Sequence, residues 1–326
     1  MAEAVQPAAP APQPAPQAPQ AARARAKRMM PKKRVELLGG GISGACAGLA
    51  TLLVVTLIFM VAQHGLATFT TDGISLASFF GGTTWNPHST DDAGAPLVGA
   101  LPMIIGSFGV TIMSTLFVFP FAIGAAIFVV EIQPTFGRKV LQPVIELLVG
   151  IPSVVFGLLG LSIIVPFIRG IAGGTGYGLL AGSIVLAVMV LPTVTSLSID
   201  AIAAVPKSYR EGSLGLGCSR WQTIWKVVLR SALPGIMTAL ILGMTRAFGE
   251  ALAVQMVIGN AAVIPTSLVT PAATLTSVLT MGMGNEAMGT MYNDVLWSLA
   301  LVLLAMSLAF ILIVHLIGRK GAKING

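Results

Sequence analysis

The chain has 326 residues, of which 55 % are hydrophobic and 10 % charged, with a net charge of +7. A soluble domain carries roughly 25 % charged residues, so this balance and a mean hydropathy of +0.88 exclude an ordinary water-soluble fold. No basic face on a soluble module is visible, which excludes a nucleic-acid partner, and the length leaves room for several helices of about 20 apolar residues that each span a bilayer.

In chain order, the first 22 residues are largely Ala, Pro and Gln, including AAPAPQPAPQAPQAA. Such a composition cannot bury an apolar face, so 1–38 is expected to be a disordered tail. It ends in a basic juxtamembrane cluster of Arg23, Arg25, Lys27, Arg28, Lys32, Lys33 and Arg34. A first span at 39–63 follows, too long and too far from the N-terminus for a cleaved signal peptide. An extracytoplasmic loop, 64–105, comes next. Its last part, 97–105, is apolar but interrupted by Pro102, and reads as an interfacial lead-in. Uncharged apolar stretches then predict spans at 106–130, 145–168, 178–199, 233–258 and 295–317, before a short tail at 318–326. The expected fold class is all-α, a polytopic membrane bundle of about six transmembrane helices.

Basic residues test this count, because they prefer cytoplasmic loops. Seven lie in the N-terminal tail and two, Arg138 and Lys139, in the 131–144 link. Five lie in 200–230 (Lys207, Arg210, Arg220, Lys226, Arg230) and three in the C-terminal tail (Arg319, Lys320, Lys323). Only Arg169 and Arg246 remain elsewhere. Both termini are therefore expected in the cytoplasm, which requires an even number of spans.

The segment 200–230, DAIAAVPKSYREGSLGLGCSRWQTIWKVVLR, is far longer than a connector needs to be. Pro206 can open a helix over 209–216. Gly215 and Gly217 allow a sharp break. A second helix over 221–229 places Trp221, Ile224, Trp225 and Val228 on one apolar face. Two readings fit: a surface that docks a partner, or an amphipathic segment lying on anionic lipid.

The spacing here resembles a known family. Glu211-Gly212-Ser213, three residues, Gly217, nine residues, then Val227-Val228-Leu229 is similar to the EAA loop of ABC-importer permeases. That pattern reads Glu-Ala-Ala, three residues, Gly, nine residues, Ile, any residue, Leu-Pro. Gly212 and Ser213 replace the two alanines, and Arg230 stands at the proline position. The stretches 128–133 (FVVEIQ), 145–157 (IELLVGIPSVVFG), 211–229 and 245–260 (TRAFGEALAVQMVIGN) resemble phosphate importer permeases of the PstC type. The resemblance implies a type I ABC importer permease in a bacterial inner membrane, with 106–317 as its core. It implies a docking role for Glu211, Gly212, Ser213, Gly217, Trp221 and Leu229. It also implies a second permease (PstA-like), two ATPase subunits (PstB-like) and an extracytoplasmic phosphate-binding protein (PstS-like). Phosphate rests on the resemblance, and sulfate or molybdate stays open as cargo.

Arg246 and Glu250 fall near the middle of the expected fifth span, four residues apart on one helix face. Charges inside a membrane are costly and face the bundle interior or a water cavity. The planar fork of Arg suits an oxyanion, so Arg246 is a candidate contact for an anion in transit. Glu250 is then its partner, preventing overtight binding. A structural pair that fixes helix packing fits equally well. Glu146 is expected to open the third span, Pro152 and Pro192 to punctuate spans, and Glu286 and Asp294 to be loop or interface acids. Arg169 is expected as a solvated loop residue, with an anion entrance as the alternative.

The chain carries no GxxxxGK[ST] phosphate loop and no nucleophile or metal motif. Cys46 and Cys218 have no disulfide or metal spacing, and His64, His88 and His315 are far apart. No enzyme activity and no cofactor are expected, and energy must come from a partner chain. A motor-independent secondary transporter would need coupling-ion sites or an inverted repeat, and neither is evident.

Overall fold

The computed structural model describes residues 32–90, 94 and 96–324, with side chains for 39–90, 94 and 96–313. The Ala/Pro tail through residue 31 and the side chains of 318–326 lie outside the described residues. Contacts divide the chain into a unit ending at Phe59 and a second running from Met60.

Six helices are long and apolar enough to cross a membrane among the described residues: Gly39–Thr70, Leu101–Ile132, Ser153–Ala172, Leu179–Ala203, Arg220–Phe248 and Met291–Ile313. The element order is α1 (Lys32–Thr70), α2 (Leu76–Gly81), β1 (Trp85–Thr90), β2 (Pro96–Val98), α3 (Leu101–Ile127), α4 (Gln142–Val149), α5 (Ser153–Leu159), α6 (Val165–Ala172), α7 (Leu179–Ala203), α8 (Lys207–Gly215), α9 (Arg220–Thr223), α10 (Leu229–Phe248), α11 (Leu252–Ile258), α12 (Leu275–Gly282) and α13 (Met291–Ile324). Wider π-helical turns at Phe128–Ile132, Gly160–Ile164 and Ile224–Val228 extend or join helices without ending them.

Three boundaries differ from the sequence reading, each for a local reason. The first helix runs to Thr70 rather than 63 and α3 begins at Leu101, so the connection between them is 71–100 rather than 64–105; it holds a small antiparallel hairpin, with Trp85 opposite Val98 and Asn86 opposite Leu97. Pro102 does not interrupt an apolar run. It sits in the first turn of α3, where its missing N–H has no intrahelical partner to lose. The third span begins at Ser153 rather than 145, because Pro152 is extended (ψ 140°) and ends the preceding helix. Glu146 therefore lies on α4, where its Oε1 accepts from Gln142 Nε2 at 3.1 Å, and does not open the third span. Pro192 stays inside α7.

The main core gathers the second to fifth spans around α7. Val185, Leu186, Val190, Val194 and Ile202 of α7 are buried with Val110, Val118 and Ala122 of α3 and with Ile236 and Leu240 of α10. A helix apolar all round belongs in the interior, and α7 is that helix. A second core joins Phe79, Val98 and Met103 to Leu275, Val295, Leu296 and Leu299. Within the second unit, Ser298 Oγ donates to the Gly65 carbonyl at 2.6 Å and bonds Thr68 Oγ1 at 2.7 Å, tying α13 to the end of α1. Asp72, in the turn after α1, has its carboxyl held above the usual carboxylate range by desolvation and then by the nearby Asp294.

Gly106 marks the tightest approach in this arrangement: a Cβ there would lie 2.0 Å from the Ala273 carbonyl oxygen. Backbone cannot yield as a flexible side chain does. Gly106→Val is expected to destabilise the protein by about 1–3 kcal/mol or more, the scale of overpacking. A lower melting temperature in detergent than wild type checks this.

Candidate functional site

The segment after α7 folds as the spacing requires, with one correction. Pro206 is extended (φ −56°, ψ 141°) and starts α8. Gly217 closes the helix with φ +82°, a left-handed conformation that a side chain at Cβ resists. Ser219 then caps a new helix in a reciprocal pair: its Oγ accepts from Gln222 N at 3.2 Å, and Gln222 Oε1 accepts from Ser219 N at 2.9 Å. The expected separate helix at 221–229 does not exist. From Arg220 the helix runs into the fifth span, so that span starts at Arg220 rather than 233.

The π turn at Ile224–Val228 also divides the expected apolar face. Ile224 and Val228 are buried in the main core, whereas Trp221 and Trp225 stay exposed at 58 % and 52 %. The two indoles meet edge to face, with centroids 5.7 Å apart. Leu229 is half-buried beside them. On α8, Glu211 and Gly212 are exposed, together with Tyr209, Leu214 and Leu216. A short helix that presents large apolar side chains around one carboxylate has the form of a protein-docking surface.

Ser213, by contrast, is buried. Its hydroxyl pairs with Thr223 Oγ1 at 2.9 Å, joining α8 to the start of the fifth span. The serine that departs from the family's alanine thus has a partner ten residues along the chain. Arg210, which sequence reading left among the basic residues, turns inward. Its Nε and Nη2 donate to Glu131 Oε1 at 2.9 and 2.7 Å. Nη2 also donates to the Ile202 carbonyl at 3.0 Å, and Nη1 to the Val205 carbonyl. Arg220 Nη2 reaches the Glu131 carbonyl at 3.4 Å.

Arg246 and Glu250 do not share a helix. The fifth helix ends at Phe248, the chain breaks over 249–251, and α11 begins at Leu252. Arg246 is therefore near the end of the span, not its middle, and its side chain is exposed. Its Nη1 donates to Thr193 Oγ1 on α7 at 2.7 Å. No ion pair joins it to Glu250 among the described residues. Glu250 instead accepts from Ala253 N through Oε1 at 3.5 Å, and its carbonyl accepts from Thr276 Oγ1 at 2.8 Å. A narrow hollow beside it is lined by Ser107, Thr111, Thr274, Thr276 and Glu250 on one part and by apolar residues, among them Val110, Leu186 and Val254, on the other. Sequence reading missed these hydroxyls and Thr193, because their contacts cross between distant helices.

The remaining candidates are dispersed. Arg169 Nε donates to the Thr175 carbonyl at 3.1 Å within its own glycine-rich turn. Glu286 lies 3.5 Å from His88 Nε2, and Asp294 sits in the first turn of α13.

Removing one partner of a buried hydrogen bond costs about 1–3 kcal/mol, whereas replacing both with apolar groups of similar shape is nearly neutral. Ser213→Ala is thus expected to lower thermal stability by that amount, with Ser213→Ala/Thr223→Val close to wild type. A double-mutant cycle on melting temperature checks it.

Residues 118–320 match the model of the binding-protein-dependent transport system inner membrane component family. The probable ABC transporter permease protein YqgH of Bacillus subtilis is 51 % identical over 286 residues, covering 87 % of this chain and 91 % of that protein. The phosphate transport system permease protein PstC of Mesorhizobium japonicum is 33 % identical over 270 residues, covering 75 % and 80 %. Among solved structures, an inward-facing MetNI methionine ABC transporter matches with a TM-score of 0.49 and 22 % identity, covering 66 % of this chain and 96 % of that one. The family works with separate ATPase subunits, which carry out ATP hydrolysis, and with a substrate-binding protein. The chain belongs to the binding-protein-dependent transport system inner membrane component family and is the multi-pass permease subunit of an ABC importer.

Proposed function

We propose that this permease carries inorganic phosphate. The observation that carries the reading is the set of relatives named as phosphate transport permeases, at 33 % identity over three quarters of the chain. Arg246 supports it. A guanidinium at the end of a span, with one hydrogen bond among the described residues, keeps donors available for an oxyanion. Its exposure in the single chain suits a path formed at the interface with a second, PstA-like permease. Glu250 follows at the helix break four residues on, where a carboxylate limits how tightly an anion is held.

In this reading α8 and the turn and helix start that follow it dock a PstB-like ATPase, one of two: Glu211, Gly212 and Trp221 present exposed groups, Gly217 shapes the turn, and the buried Ser213 and half-buried Leu229 hold the surface in place. A PstS-like binding protein delivers phosphate to the opposite face. The placement of Lys and Arg along the sequence supports cytoplasmic termini, with the connection 71–100 outside and the permease core running from the second span at Leu101.

Labelled phosphate uptake by the assembled importer is expected to be competed by excess phosphate and not by sulfate. Competition by sulfate would replace phosphate as the cargo. Hydrogen bonds to charged groups contribute about 1.5–3 kcal/mol, so Arg246→Ala is expected to lower uptake about ten- to hundred-fold. Arg246→Lys should fall between. Wild-type rates in both variants would remove Arg246 from the path. At the docking end, Gly217→Val forces a branched side chain into a left-handed position costing about 1–2 kcal/mol. Co-purified ATPase is expected to drop about tenfold in affinity.

A further inference from the structure

Arg210 directly precedes the Glu211–Gly212–Ser213 motif, yet it takes no part in the exposed face of α8. Its side chain is 19 % exposed, and that of Glu131 12 %. Four donor contacts leave its guanidinium: two to Glu131 and one each to the Ile202 and Val205 carbonyls. These partners belong to two other segments. Glu131 lies in the π turn that ends the second span. Ile202 lies in the last turn of α7, where its carbonyl also accepts from Val205 N at 3.3 Å, and Val205 lies just beyond it, at the negative end of the helix.

Exposed ion pairs contribute little. This pair is largely enclosed and completes the hydrogen bonds of a helix end, so it fixes geometry. The fork of Arg supplies five N–H donors in one plane, whereas Lys has three on a single atom and cannot reach both the carboxylate and two carbonyls in the same way.

The segments so joined also hold polar groups farther along the bundle, away from α8. The second span carries Ser107 and Thr111, and the fourth carries Thr193, which accepts from Arg246. Ser213 ties α8 to the fifth span through Thr223, but that bond reaches neither the second span nor the fourth.

We propose that Arg210 and Glu131 are positioning residues that make the second and fourth spans move with α8 when the ATPase displaces it. The proposal rests on α8 as the docking helix. Without the pair, α8 still offers its exposed face to the motor, but its motion is taken up in the short connections at 204–206 and 216–219.

The test uses the wild-type permease and the variants Arg210→Lys and Glu131→Gln, each assembled with its native partner subunits in proteoliposomes. Three quantities are read: ATPase retained on purification, ATP hydrolysed, and labelled phosphate moved per ATP. If the wild-type complex moves sulfate instead, the ratio is read with sulfate. Loss of charge-assisted hydrogen bonds is expected to lower substrate moved per ATP about tenfold, with ATPase retention and hydrolysis within about twofold of wild type. A ratio equal to wild type overturns the proposal. Failure of both variants to accumulate, or loss of ATPase from both, also overturns it, because the pair would then serve folding alone. If one variant accumulates, its ratio decides. Failure of the docking reading is separately visible, as full retention of ATPase by Gly217→Val.

Discussion

Every peptide group inside a bilayer must find its hydrogen-bond partner within the protein. Unbroken helices meet this condition by themselves, and this chain departs from them at defined places. After Phe248 the helix stops, and from Gly259 to Thr274 the backbone is irregular. Thr276 donates to the Glu250 carbonyl and Ser107 accepts from Leu275 N. Ala272 N donates to the Ile258 carbonyl, and Leu180 N to the Leu268 carbonyl. Buried hydroxyls and close backbone contacts thus substitute for the missing helical ladder. Non-helical backbone at membrane depth is tolerated where protein covers it or where it lines a cavity. The hydroxyls that make the break possible are also the polar lining beside Glu250.

Two regions of the bundle differ in chemistry. One end carries α8, with exposed aromatic and aliphatic side chains around a carboxylate. Away from it, where the fifth helix stops, lie Glu250, the small hollow beside it and Arg246, which meets Thr193 near the middle of α7. Between them runs α7, the most enclosed span, whose packing against α3 and α10 is aliphatic and close. Such interiors have little compressibility, so a displacement imposed at one end is carried as motion of whole helices rather than absorbed along their length.

The number of spans was legible in the sequence because each leaves an apolar stretch bounded by charge or by Gly and Pro. The family's EAA-like segment was legible because Glu211, Gly217 and Leu229 stand at fixed intervals along one chain. The breaks were harder. Across 145–157 and 245–260 the residues remain largely apolar, so a change from helix to irregular backbone leaves little mark in hydropathy. Pro152 and Gly249 are the available signals, and only Pro152 reads as punctuation in the sequence. The Arg210–Glu131 contact bridges 79 positions in the chain, and no local pattern encodes it. Ser213 looked like a neutral replacement of a small residue, because its meaning lies in Thr223.

The π turn at Ile224–Val228 sets how the exposed surface around Trp221 and Trp225 is oriented. An α-helix advances about 100° per residue, so one extra residue in a turn rotates everything on one side of it by about that amount relative to the other. The orientation of Trp221, Trp225 and the capped turn at Ser219 around the fifth span is therefore set by register as well as by residue identity. Two permeases with the same motif spacing, one with this turn and one without, would present the same side chains toward different directions. In this chain the turn serves as an angular adjuster between a membrane helix whose rotation is dictated by the core and the exposed face that carries Trp221 and Trp225.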